Sequence, residues 1–198
     1  MEKIIFQFHV TIQDLPKEKK EDFISLCIKN QVKPLLIVLP EGDYLKQPMF
    51  TKLIKSTSFK TALFWVEQTI EHFETAGFSI ARIKAEVFSH DSNLFQSMDY
   101  KNFQPYYEWH CKVKIENEEE TEQLCKKYNA HLSANSLEED GKTKYITIRE
   151  YNSEELFYKA VNQFYEILLE KNIVTIIKQK FEYCIYDSRL ELDKGWAS

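Results

Sequence analysis

Ile4-Ile5-Phe6-Gln7-Phe8-His9-Val10-Thr11-Ile12 alternates apolar and polar side chains, with Phe6, Phe8, Val10 and Ile12 on one face and Gln7, His9 and Thr11 on the other. A period of two in a run rich in β-formers specifies a half-buried strand. The polar face returns about a hundred residues later. There Phe8-His9-Val10-Thr11-Ile12 becomes Trp109-His110-Cys111-Lys112-Val113, and Arg82-Ile83-Lys84-Ala85-Glu86 becomes Lys178-Gln179-Lys180-Phe181-Glu182. Self-similarity at one long offset points to two copies of a small domain rather than to a solenoid.

The order of elements extends outward from that strand. Asp14-Leu15-Pro16 opens a helix to about Asn30, with proline at the tolerated first turn. Residues 34–39 form a short apolar strand, Pro40-Glu41-Gly42-Asp43 a turn, and 48–54 a returning strand. Ser56-Thr57-Ser58 offers N-cap residues for a helix with Ala62, Trp65, Val66, Thr69, Ile70 and Phe73 as its apolar stripe; Gly77 stands at the C-cap position. Residues 78–88 then carry Ile83, Ala85 and Val87 inward and Arg82, Lys84 and Glu86 outward. After an aperiodic linker, 89–105, the order restarts. A strand spans 106–115 and a helix 118–128, with acidic residues in its first turn as the helix dipole favours. A hairpin pairs 130–135 with 142–151 around Glu138-Glu139-Asp140-Gly141. Ser153 caps a helix to about Lys171, and a long strand covers 173–186. The expected fold is α+β: tandem duplicated ferredoxin-like (βαββαβ) repeats with antiparallel sheets, residues 1–88 and 106–198. Strand order 4-1-3-2 makes first and last strands neighbours. His9 and Thr11 should therefore lie beside Arg82, Lys84 and Glu86, and Glu108, His110 and Lys112 beside Lys178, Lys180 and Glu182, all on the helix-free face.

Composition narrows the function classes. The chain has 198 residues, 43% hydrophobic, with 14 Phe and 11 Tyr against 4 Gly and 5 Pro, which implies a bulky, well-filled core. A net charge of −5 argues against duplex DNA as partner. The four cysteines show no CxxC and no zinc spacing, so they read as reduced and buried. Neither a signal peptide nor a membrane-spanning run is visible, which leads us to expect a soluble cytoplasmic protein. No Gly-rich phosphate loop, GxSxG, HExxH or acidic metal box occurs, so neither metal nor organic cofactor is expected.

A sheet face bearing histidine and cations suits an anion, such as a phosphate- or carboxylate-bearing small molecule or nucleotide. If the two faces meet, Arg82, Lys84, Lys112, Lys178 and Lys180 supply five fixed cations, which Glu86, Glu108 and Glu182 offset only in part. Histidine can move protons near neutral pH, and a cross-strand glutamate can hold its tautomer. Alternate charges are also what any solvated sheet face carries. His72, His90 and His131 read as incidental. Thr51 and Lys52 could reach an anion, although a plain hairpin turn explains them better. The tail from Tyr186 to Trp196 either docks on the body for stability or folds over a cleft as a lid.

His9-Val10-Thr11-Ile12 resembles the His-x-Thr/Ser-hydrophobic tetrad found twice in the 2H phosphoesterases. His110-Cys111-Lys112-Val113 departs from it, with lysine in place of the hydroxyl residue. The resemblance implies His9 and His110 as acid and base, with Thr11 on the phosphate of a small nucleotide or RNA end. The binding and the catalytic readings both stand at this point.

Overall fold

The computed structural model describes residues 3–96, 98, 103–138 and 140–196. Residues 97 and 99–102 of the expected linker and Glu139 of the expected turn lie outside the described residues. The first half comprises β1 (Ile4–Ile12), α1 (Lys20–Lys29), β2 (Lys33–Val38), β3 (Lys46–Ser56), α2 (Phe59–Thr75) and β4 (Ile80–Phe88). The second comprises β5 (Tyr106–Ile115), α3 (Glu118–Lys127), β6 (His131–Asn135), β7 (Thr143–Glu150), α4 (Glu154–Lys171) and β8 (Val174–Asp187). The order βαββαβ thus runs twice. The expected linker begins with a 3₁₀ turn at Ser89–Leu94.

All strand pairings are antiparallel, and the strands close one barrel in the order β1-β3-β2-β6-β7-β5-β8-β4. Each half keeps the order 4-1-3-2, and the edge strands of one half pair with those of the other. β4 joins β8 from Lys84↔Asp187 to Phe88↔Glu182. β2 joins β6 through Ile37↔Asn135 and Val38↔Ala134 only, helped by the Leu36 amide donating to Asn135 Oδ1 at 2.9 Å.

The helices cover the outside. Phe6, Phe8, Val10 and Ile12 of β1 pack with Ala62, Val66, Ile70 and Phe73 of α2, and Trp109, Cys111 and Val113 of β5 with Phe157, Val161 and Phe164 of α4. Trp65 departs from its expected place in the α2 stripe: it is exposed and edge-stacked on Phe64. The four cysteines are free and buried, and burial pushes the thiols of Cys27, Cys111 and Cys125 up to about 12. No helix among the described residues is long and apolar enough to cross a membrane.

Local signals set the helix ends. Ser58 and Ser153 sit in extended conformation at the N-caps, and the Ser153 hydroxyl accepts the Leu156 amide at 3.2 Å. Gly77, directly after the last residue capping α2, takes φ +82, which an L side chain resists. Replacing Ser153 by Ala should cost about 1 kcal/mol of stability in urea denaturation, with the m-value unchanged.

With helices outside and apolar residues beneath them, the other face of every strand points into the barrel. An eight-stranded barrel has an interior that side chains can fill. Here that filling is polar.

Candidate functional site in the barrel interior

Two matching constellations meet at the centre. His9 pairs across strands with Thr51 and Lys84, and His110 with Thr147 and Lys180. Nδ1 of His9 shares a 2.9 Å hydrogen bond with Thr51 Oγ1, and Nδ1 of His110 a 3.0 Å bond with Thr147 Oγ1. Both Nε2 atoms are turned toward carboxylates. That of His9 lies 3.1 Å from Glu86 Oε2; that of His110 lies 3.3 Å from Glu108 Oε2 and 3.7 Å from Glu182 Oε2.

The lysines repeat the same logic. Lys84 bonds Glu108 and stands 2.6 Å from Glu86 Oε1, while Lys180 bonds Gln7 and reaches Glu182 Oε1 at 2.6 Å. Gln7 Nε2 lies 2.7 Å from His9 Nε2, 3.1 Å from Glu86 Oε2 and 2.8 Å from Glu182 Oε1. His9 Nε2 therefore faces a donor and an acceptor at once, so the ring is accommodated with or without a proton there.

The two histidines are driven apart electrostatically. Burial holds the His9 pKa below its ordinary value, helped by Lys84 and Lys180 and opposed by Glu86. Burial acts on His110 too, but its hydrogen bond to Glu108 and the charges of Glu108, Glu182 and Glu86 outweigh it and raise the pKa. Glu182 is pushed up to about 7, by burial first and then by the nearby Glu86 charge. Glu86 itself, against burial, is held well below the carboxylate range by Lys84 and His9. Two histidines shifted in opposite directions within one site is a split of the kind that acid–base sites use.

The two ends of the barrel differ. At one end Arg82 binds Asp187 through Nε at 2.8 Å and through Nη2, and Arg149 binds Glu108 through Nε at 2.8 Å. The segment after β8 folds across this end through a 3₁₀ turn at Leu190–Asp193, and the Asp193 carboxylate sits between the two guanidinium groups. Trp196 lies against His131. Thr11 is buried beside Arg82 at the same end. Of the two readings of the tail, docking on the body describes the observed position.

Among the described residues the other end, the open one, is the more exposed. Leu53, on the inner face opposite Gln7, is 64% exposed, against 4% for Arg82. Lys112 pairs with Glu138 at 2.7 Å. Lys178 stands opposite Lys112 and Lys33 opposite Thr51, both exposed and without an ion pair or hydrogen bond among the described residues. Farther in, the side chains of His9, Lys180 and His110 are 19%, 26% and 29% exposed.

The structure thus gathers His9, Lys84, Glu86, Glu108, His110, Lys180 and Glu182 at the centre, sends Thr11 and Arg82 to the closed end, and leaves Lys112 and Lys178 at the open one. Because β1 and β5 run oppositely, the residues two past each histidine point to opposite ends. The expected cationic excess is corrected. The interior cations Arg82, Lys84, Arg149 and Lys180 face Glu86, Glu108, Glu182, Asp187 and Asp193, so carboxylates match the cations even though Glu182 keeps its proton up to about 7. Asp187 falls one residue past the expected last strand and Asp193 lies in the tail, which is why the strand pattern did not count them. Gln7, Thr147 and Arg149 were missed as well, although Thr147 and Arg149 sit at alternate positions of an expected strand. Thr51 faces His9, whereas Lys52 points outside to Thr69. Among the described residues Glu86, His110 and Glu182 could offer three metal ligands within 4.8 Å of one another, but Lys84 and Lys180 already occupy both carboxylates.

Neither a family model nor a curated protein matches this sequence. Among solved structures, the acetolactate synthase small subunit from Thermotoga maritima is 11% identical with a TM-score of 0.32, over 92% of this chain and 95% of that one. A mutant chlorite dismutase from Candidatus Nitrospira defluvii is 14% identical with a TM-score of 0.33, over 98% of this chain and 94% of that one. Likeness at that level carries no argument about what this chain does, and the functional reading rests on its own geometry.

Proposed function

We propose that this protein binds a small anionic ligand, bearing phosphate or carboxylate, that enters the barrel through its open end and seats against His110. The observation that carries the reading is the asymmetry of the two ends: Arg82 and Arg149 are consumed by carboxylates, whereas Lys33 and Lys178 at the entrance have no ion pair or hydrogen bond among the described residues. Lysines there act as point charges that draw an anion in. Farther along the path, His110 is held toward its charged form by Glu108 and adds to the attraction. The same reading takes the two βαββαβ halves as a tandem duplication of ferredoxin-like units, since His9, Thr51, Lys84 and Glu86 correspond one for one to His110, Thr147, Lys180 and Glu182.

Calorimetric titration with inorganic phosphate and a nucleoside monophosphate tests the proposal. The Lys33→Met/Lys178→Met double variant changes only exposed side chains and should bind at least about tenfold more weakly than the natural protein, a difference of about 1.4 kcal/mol. Added salt should weaken binding to the natural protein, because exposed charges are screened. Equal affinity in both proteins, or no binding in either, rejects the reading.

A second reading is favoured by the split histidines. His9 as base and His110 as acid would carry out metal-independent phosphoester cleavage on a small nucleotide or RNA end. Turnover of a nucleoside cyclic phosphate that disappears in both His9→Asn and His110→Asn would favour it over binding alone.

A further inference from the structure

We propose that the closed end of the barrel is a carboxylate-binding site whose occupant in this structure is the chain's own Asp193, and that an external carboxylate competes with segment 188–196 for it. The donors belong to the barrel wall and the acceptor to the tail. Arg82 Nη1 donates to Oδ1 and Nη2 to Oδ2, both at 2.9 Å; Arg149 Nη2 donates to Oδ2 at 2.7 Å; and Gln47 Nε2 lies 3.4 Å from Oδ1. Three strands, β3, β4 and β7, thus converge on one carboxylate, with a bidentate guanidinium fork of the kind that recognises this group.

Both guanidinium groups have anchors other than Asp193. Asp187 holds Arg82 through Nε and Nη2, Glu108 holds Arg149 through Nε, and the Tyr106 ring lies 4.3 Å from the Arg149 guanidinium carbon. These anchors keep both forks aimed when Asp193 leaves, so an incoming carboxylate need not order them. Charge points the same way. Leaving Asp193 aside, four interior cations face Glu86, Glu108, Glu182 and Asp187, and because Glu182 keeps its proton up to about 7, positive charge is left to be met at this end.

The rest of the segment is held by separable contacts. Leu192 is buried and its carbonyl accepts Gln47 Nε2 at 3.0 Å, while Trp196 Nε1 donates to the Leu132 carbonyl at 3.2 Å. The Lys194–Asp43 pair is exposed at 3.7 Å. The Gly42 backbone presses so close that a Cβ there would lie 2.9 Å from the Lys194 carbonyl oxygen, which makes the seat specific for this segment.

The test uses the full chain with Asp193→Ala and acetate as the probe, against chloride at matched ionic strength. Calorimetry should show one acetate site at least tenfold tighter in Asp193→Ala than in the natural protein, with a thermal midpoint that rises and saturates with acetate. Arg149→Met/Asp193→Ala should bind none. Should Asp193→Ala fail to fold, Asp193→Asn keeps the shape and one acceptor oxygen, and should still bind acetate more tightly than the natural protein. Equal acetate affinity in the natural protein and the folded variant, or no saturable binding in that variant, overturns the proposal. Lys33 and Lys178 lie at the other end, so acetate binding here stands or falls independently of the phosphate titration above.

Discussion

Arg149→Met is expected to lower the unfolding free energy by about 3–5 kcal/mol, the range for removing one partner of a buried ion pair. The methionine keeps most of the aliphatic stem, so the loss reports the guanidinium rather than a cavity. Arg149 is buried, with Nη2 2.7 Å from both Glu108 Oε1 and Asp193 Oδ2. Its removal leaves Glu108 to Lys84 and His110, and Asp193 to Arg82 and Gln47, inside a chamber that screens little. Arg149→Lys restores the charge without the planar fork and should recover only part of the loss. Urea denaturation at neutral pH measures all three proteins. A loss below about 1 kcal/mol in the methionine variant would place Arg149 with exposed pairs and contradict its burial.

Glu182→Gln should flatten the dependence of stability on pH and leave the variant more stable than the natural protein at pH 8. In the fold Glu182 keeps its proton up to about 7, against an ordinary value of 4.5, because burial and the Glu86 charge disfavour its ionisation. The folded state therefore binds this proton more tightly than the unfolded one. The stability it contributes is complete below about 4.5, falls as pH rises, and is lost above about 7. The difference corresponds to about 3 kcal/mol. His110, also raised, adds a loss in the same direction as its proton leaves; His9, lowered, opposes it by favouring the fold above its depressed value. Glutamine keeps an acceptor for Gln7 and Lys180 and cannot ionise. Urea midpoints from pH 4.5 to 8 decide the matter: an unchanged slope in the variant would assign the proton to Glu86 instead.

How much of this was readable in the sequence depends on the range of the interaction. Alternation in Ile4–Ile12 and capping by Ser153 are local, and the strand and helix they specify stand where expected. Pairing of His9 with Lys84 and of His110 with Lys180 followed from the 4-1-3-2 strand order and also stands. Closure did not follow. The β2–β6 seam rests on Ile37↔Asn135 and Val38↔Ala134, and no pattern in either strand announces its partner. With closure hidden, the polar faces read either as an anion cleft or as solvated surface, and Asp193 read as tail rather than as the carboxylate between two arginines. The exposure of Trp65 was hidden for a similar reason: helical spacing gives a stripe but not its width, and here it stops at Ala62, Val66, Thr69, Ile70 and Phe73.

The closed barrel also dictates an order of assembly. Gln7 reaches Glu182 across a sequence separation of 175 residues, and Lys180 reaches Gln7 across 173. Contacts so distant along the chain cost loop-closure entropy before they return anything, and they slow folding accordingly. Most aromatic contacts under the helices, by contrast, form within one half, as where Phe50 stacks on Phe73 and Tyr107 on Phe157, although Phe59 also meets Tyr186 across the halves. Collapse of that layer can proceed while the ionic groups are still in water. The chamber is then the last part of the molecule to exist, and its lysines, glutamates and histidines give up their hydration only when the second seam shuts.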